Sequence, residues 1–178
     1  MGRLTVAQGS IYCDTNVFIH LTESEENSPL RLAIASLFAA KHDYERPLLK
    51  TSLLTISELM VHPYRRKDAQ LEAHYRVFST TTKVLEVGPV DLDVLLNAAE
   101  LRANYSGLKL PDAIHMATAF AFGCTVFLSA DERISGEYTL DFRHEHPFYT
   151  GLTKGTGSIK AERLTRDSVI NLVEQITK

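Results

Sequence analysis

The sequence lacks an excess of basic residues: 19 Lys and Arg stand against 22 Asp and Glu, a formal net charge of −3. That excludes a passive nucleic-acid coat, which works by neutralising phosphates with Lys and Arg. An acidic protein still acts on nucleic acid where a bound metal supplies the positive charge locally. Cysteine is scarce. Cys13 and Cys124 each lie inside an apolar run, IYCD and FGCTVF. Two thiols make no disulfide framework and have no zinc-ligand spacing, so both are read as small buried hydrophobes. No stretch reaches the ~20 apolar residues of a membrane-spanning helix, and the opening MGRLTVAQGS has no apolar signal segment. Internal repeats and low-complexity segments are missing too. A soluble, cytoplasmic protein is the expectation.

What is present is a globular balance, 44% hydrophobic and 23% charged over 178 residues, the length of one domain with room for an appendage. Ile11–Cys13 reads as a short buried strand that ends at Asp14. Pro29 opens a helical pattern through Lys41, with Leu30, Ile34, Leu37 and Phe38 at helix spacing. Leu48–Leu54 predicts a second strand, after which Thr55 or Ser57 caps a short helix carrying Glu58, stopped by Pro63. Asp68–Phe78 is helical, Lys83–Val87 a strand, and Asp91–Tyr105 a helix with an apolar stripe of Leu92, Leu95, Leu96, Ala99 and Leu101. Pro111 starts a helix that Gly123 ends, and Thr125–Leu128 is a β-branched strand running into Asp131. Residues Glu137–Ile159 have no clear period, and Leu164–Ile176 predicts a terminal amphipathic helix starting near Thr165. Charges after Gly136 balance, although Lys154–Arg166 is locally basic.

Strands alternating with helices predict an α/β fold with a mainly parallel sheet. In such sheets, sites form at the C-terminal ends of strands, and Asp14 and Asp131 each follow a predicted strand. Glu58 (in LLTISELMV) and Asp112 (in LKLPDAIHM) also border apolar segments. Carboxylates gathered near a core repel one another unless a cation sits among them. A hard divalent ion such as Mg²⁺ takes carboxylate oxygens and completes its shell with water and substrate phosphate. Asp112 has a structural reading as well, because a carboxylate in a first helical turn favours the helix dipole.

The opening IYCDTNVFI, the SEL around Glu58, the LPDAIHMATA stretch and the closing LSADERI, in that order, resemble the PIN domain and its VapC-like ribonucleases. The resemblance covers about Ser10 to Arg133, and it is the ordered set rather than any one motif that carries it. It implies a PIN-like, Rossmann-like three-layer α/β/α nuclease domain over residues 1–136. Residues 137–178 are then an extension packed on the same domain, outside the recognised pattern. It further implies a metal site of Asp14, Glu58 and Asp112 with Asp131 as a fourth acid, binding Mg²⁺ or Mn²⁺. Thr15, Asn16 and Ser129 are implied as residues that orient those ligands or meet substrate; Arg133, two residues past Asp131, is read apart from the resemblance, as a solvated charge or as a cation that holds the RNA backbone. The implied reaction is RNA hydrolysis by a metal-activated water, and the implied partners are RNA, a small antitoxin protein and a second copy of the chain.

His115 shares a helix face with Asp112 and is read first as a satisfied, partly buried histidine. Arg65, Arg66 and Lys67 are read first as a solvated face, with the RNA backbone as the functional alternative. Two other function classes compete. One is a PIN-fold RNA- or protein-binding module that does not cut. The other is an aspartyl phosphatase of the haloacid dehalogenase type, which wants a second Asp two positions after the first, where this chain has Asn16.

Overall fold

Strand β1, Ser10–Cys13, is the sheet's organising element in a computed structural model that describes residues 9–40, 47–142 and 155–177. Gly9 leads into it so close to the segment carrying Thr125 that a Cβ there would come within 2.2 Å of Thr125 Oγ1. Helix α1, Thr15–Glu23, follows at once with Asp14 as its N-cap, an element not anticipated from the sequence. Next come α2 (Pro29–Ala39), β2 (Leu49–Ser52), α3 (Leu53–Arg66), α4 (Ala69–Arg76) and β3 (Leu85–Gly88). The chain continues through α5 (Leu92–Asn104), α6 (Leu110–Ala121), β4 (Cys124–Ser129), β5 (Gly136–Phe142), β6 (Gly155–Arg163) and α7 (Arg166–Ile176).

The strands form one six-stranded sheet in the order β3-β2-β1-β4-β6-β5. Every pairing is parallel except β5 with β6, which is antiparallel. The expected α/β class with a mainly parallel sheet holds. Strand alternation sends side chains to opposite faces. Ile11, Cys13, Val126 and Leu128 therefore join one core with α1, α2, α3 and α7, while Tyr12 and Phe127 join the other with α5 and α6. Helices cover both faces, giving three layers. No described helix is long and apolar enough to cross a membrane.

Four local expectations need correction. The helix bearing Glu58 starts at Leu53 with Ser52 as N-cap, earlier than Thr55 or Ser57. Pro63 does not stop it: the helix runs to Arg66, and the chain turns at Lys67, whose φ is 55°. Proline removes one helical hydrogen bond, but its ring is buried here, which offsets part of that loss. The apolar stripe of α5 splits. Val94, Ala98 and Leu101 are buried, whereas Leu92, Leu95 and Leu96 are exposed. Finally, the segment read as lacking a period contains β5 and begins β6, which extend the sheet beyond β4. Helix α2 also stops short of the expected Lys41, ending at Ala39 where Ala40 turns to extended backbone, and His144 and His146 lie outside the described residues.

Helix α7 starts as expected. Thr165 Oγ1 accepts from Ser168 N at 3.2 Å, and Ser168 Oγ accepts from Thr165 N at 3.1 Å, a reciprocal capping box. The cap fixes a helix that buries Val169, Leu172 and Ile176. Thr165→Ala should cost about 1 kcal/mol, read as a lower urea midpoint with unchanged slope.

Both cysteines are buried, as expected. Burial pushes the Cys13 thiol well up and the Cys124 thiol up to about 12. Since the thiolate is the reactive form, neither should be alkylated in the folded protein at about pH 8, and both should react after unfolding. Mass spectrometry after iodoacetamide treatment checks this; rapid native labelling would contradict it.

Candidate metal centre

Asp14 stands where β1 ends beside β4, its N–H donating to Leu128 O at 3.1 Å. The residue is 8% exposed, and both side-chain oxygens are held. Oδ1 accepts from Thr15 N at 2.7 Å, and Oδ2 accepts from the Ser129 hydroxyl at 2.6 Å. The residue is at once a helix cap and a carboxylate at a strand end. Ser129, the last residue of β4, also accepts from Asp131 N at 3.1 Å, so one hydroxyl links the two acids.

Glu58 projects from the second turn of α3. Its Oε2 accepts from Thr15 Oγ1 and from His115 Nε2, the latter at 3.0 Å. Burial alone would raise its pKa, but the hydrogen bonds from His115 and Thr15 outweigh it and hold the carboxyl below its ordinary value. His115, on α6, is 2% exposed. Its Nδ1 lies 2.9 Å from the Tyr12 hydroxyl and its Nε2 3.8 Å from Asp14 Oδ1. Asp14, Glu58 and His115 each offer a ligand atom within 4.8 Å of the others.

Among the described residues that trio is the tight group, and Asp112 and Asp131 stand outside it. Asp112 is half-buried in the first turn of α6. Burial first, and then the charges of Asp131 and Asp14, raise its pKa, so it shares their field. Asp131 is engaged by Arg133: Oδ1 accepts from the Arg133 N–H and from Nε, each at 2.9 Å, and Oδ2 pairs with the guanidinium. Those bonds hold the Asp131 carboxyl down at about 2. Asn16 follows in the first turn of α1, half-buried, its side chain without a hydrogen bond among the described residues. Arg65, Arg66 and Lys67 are exposed at the end of α3.

The sequence reading gave His115 a minor place and did not single out Tyr12. Both are central here. The available signal was weak: a Tyr inside an apolar strand needs a partner for its hydroxyl, and nothing local names that partner. The donor set suits a divalent cation. Carboxylate oxygens match Mg²⁺ or Mn²⁺, and an imidazole nitrogen nearby also suits later transition metals. Grouped carboxylates would gain most from such an ion.

Comparison with curated proteins gives no match. Solved structures with the same fold include a toxin–antitoxin complex from Klebsiella pneumoniae. It is 24% identical with a TM-score of 0.50, over 68% of this chain and 86% of that one. They also include Mycobacterium tuberculosis VapC20, described as a Sarcin-Ricin loop cleaving toxin. It is 21% identical with a TM-score of 0.53, over 66% of this chain and 87% of that one. At these identities the likeness is one of fold. Residues 11–136 match the PIN domain, most of the chain and all of its acidic site, and the chain therefore belongs to the PIN domain family.

Proposed function

We propose that this chain is a divalent-metal-dependent endoribonuclease and the toxin of a toxin–antitoxin pair. The observation that carries the reading is the meeting of Asp14 and Glu58 in one hydrogen-bonded group at the C-terminal end of a parallel sheet, in a chain of the PIN family. When bound, Mg²⁺ or Mn²⁺ supplies a Lewis acid and lowers the pKa of a coordinated water, so no side-chain nucleophile is required. The chain's own residues do the rest. Asp14 and Glu58 would hold the ion, with Asp112 and Asp131 completing the acidic wall. Thr15 and Ser129 keep Glu58 and Asp14 oriented through the hydrogen bonds they donate. Asn16, Arg133 and the Arg65-Arg66-Lys67 run would meet the RNA backbone, where cations position a nucleic acid without reading its sequence.

A toxin–antitoxin complex and a Sarcin-Ricin loop cleaving toxin among the structural neighbours support RNA as substrate and a small antitoxin protein as partner. A homodimer belongs to the same reading. Val61 and Tyr64 on α3, and Leu92, Leu95 and Leu96 on α5, are exposed apolar side chains that such contacts would cover.

The test is cleavage of RNA by the purified protein. Cutting should require Mg²⁺ or Mn²⁺ and stop in excess chelator. Cutting that persists in chelator would remove the metal from the reading. No cutting together with no heat of Mn²⁺ binding would leave a binding module in its place.

A further inference from the structure

The Tyr12–His115–Glu58 chain of contacts crosses the molecule from a central strand to two helices. Its members stand far apart in sequence: 103 positions separate Tyr12 from His115, and 57 separate Glu58 from His115. Its protons are ordered by chemistry. An ionised carboxylate only accepts hydrogen bonds. A glutamate carboxyl is ionised near neutral pH, so His115 Nε2, 3.0 Å from Glu58 Oε2, carries the hydrogen that bonds it. In the neutral ring Nδ1 is then the acceptor. A tyrosine phenol keeps its proton near neutral pH, so Tyr12 is an O–H donor, and Nδ1 is its partner at 2.9 Å. The chain therefore runs one way, from Tyr12 O–H to Nδ1 and from Nε2–H to Glu58 Oε2.

Its base does not move easily. Tyr12 is fully buried, and its ring stacks on Phe127 at 5.2 Å and 7°. His115 is held edge-on to Tyr12 at 5.9 Å. Glu58, by contrast, sits on a side chain with several rotatable bonds and is half-buried, where Asp14 is buried. Thr15 donates to the same Oε2, so two donors fix one oxygen, and the other, Oε1, has no hydrogen bond among the described residues.

Resting on the metal-dependent reading above, we propose that Tyr12 and His115 are positioning residues: a buried phenol–imidazole prop that fixes the Glu58 carboxylate so that it presents a ligand oxygen to a divalent cation. His115 acts through Glu58 and is not itself a ligand. Partners behind a metal ligand set its orientation, and losing one typically weakens metal binding about 10–100-fold.

The experiment measures Mn²⁺ affinity by calorimetry in the full-length protein and in Tyr12→Phe, His115→Ala and His115→Gln, together with the ¹⁵N shifts of the His115 ring. Thermal melts confirm that each variant is folded. In the unaltered protein Nε2 should carry the hydrogen shared with Glu58 and Nδ1 should accept from Tyr12. Tyr12→Phe removes one oxygen and leaves the ring in place. It should mix the tautomers and weaken Mn²⁺ binding measurably. His115→Ala should weaken binding about 10–100-fold. His115→Gln returns an amide donor to Glu58 and should recover much of that loss. Unchanged Mn²⁺ affinity in Tyr12→Phe and His115→Gln alongside unchanged affinity in His115→Ala would overturn the prop. Loss in His115→Gln as complete as in Asp14→Asn would make His115 a ligand and overturn it as well. An unaltered protein that binds no Mn²⁺ would overturn the proposed function itself, and the prop with it; in the first two outcomes the proposed function stands.

Discussion

Asp14→Asn should reduce RNA cleavage by at least on the order of 100-fold, beyond the 10–100-fold that follows loss of a partner behind a metal ligand, while the protein stays folded. The substitution is chosen for what it keeps. Asp14 has two duties, capping α1 through Oδ1 and standing as a carboxylate beside Glu58. Asparagine is as good an N-cap as aspartate, so its amide oxygen can go on accepting from Thr15 N. The Ser129 hydroxyl now donates to Oδ2; it can turn to accept from the new amide. What disappears is a negative charge and a strong ligand. Mn²⁺ affinity should fall with activity, and the urea midpoint should shift by no more than about 1 kcal/mol equivalent, the scale of one cap. Wild-type cleavage rates in this variant would remove Asp14 from the site.

The largest loss of stability should come from Phe127→Ala, about 3–5 kcal/mol. Phe127 is fully buried at the middle of β4, which lies between β1 and β6. Its ring stacks on Tyr12 and belongs to the core formed with α5 and α6. Truncation removes apolar contact and leaves a cavity that flanking strands are too constrained to fill. A domain of this size is stable by only about 5–15 kcal/mol, so about a fifth or more of the total goes. Urea denaturation followed by circular dichroism measures it. A loss under about 1 kcal/mol would mean that the site collapses around the gap. Because Tyr12 rests on this ring, metal affinity is expected to fall even in the fraction that remains folded.

Much of this protein is legible along the chain. Asp91 and Thr165 announce helix starts and serve as caps. Gly123, with φ of 67°, follows α6 where its freedom of backbone is needed. Asp14 stands after its strand and Glu58 lies in a helix. Strand β5 was also there to be read. Tyr138 and Leu140 alternate with polar Glu137 and Thr139, a period of two masked by the many His, Gly and aromatic residues around it. The buried face of α5 was not. That helix carries apolar residues on two sides, and periodicity identifies a helix without saying which of two apolar faces meets the sheet.

Local chemistry by itself determined the element types, the alternation that makes the sheet parallel, and the acids at strand and helix ends. Those signals live within windows of a few residues, where side-chain spacing and backbone preference act directly. Only the tertiary structure decided that His115 and not Asp112 closes the tight group with Asp14 and Glu58, that Arg133 engages Asp131, and that Tyr12 stands behind the imidazole. Contacts across a hundred positions depend on how strands register and helices pack, and a hydrogen bond forms or fails over a few tenths of an ångström. No spacing along the chain encodes that distance.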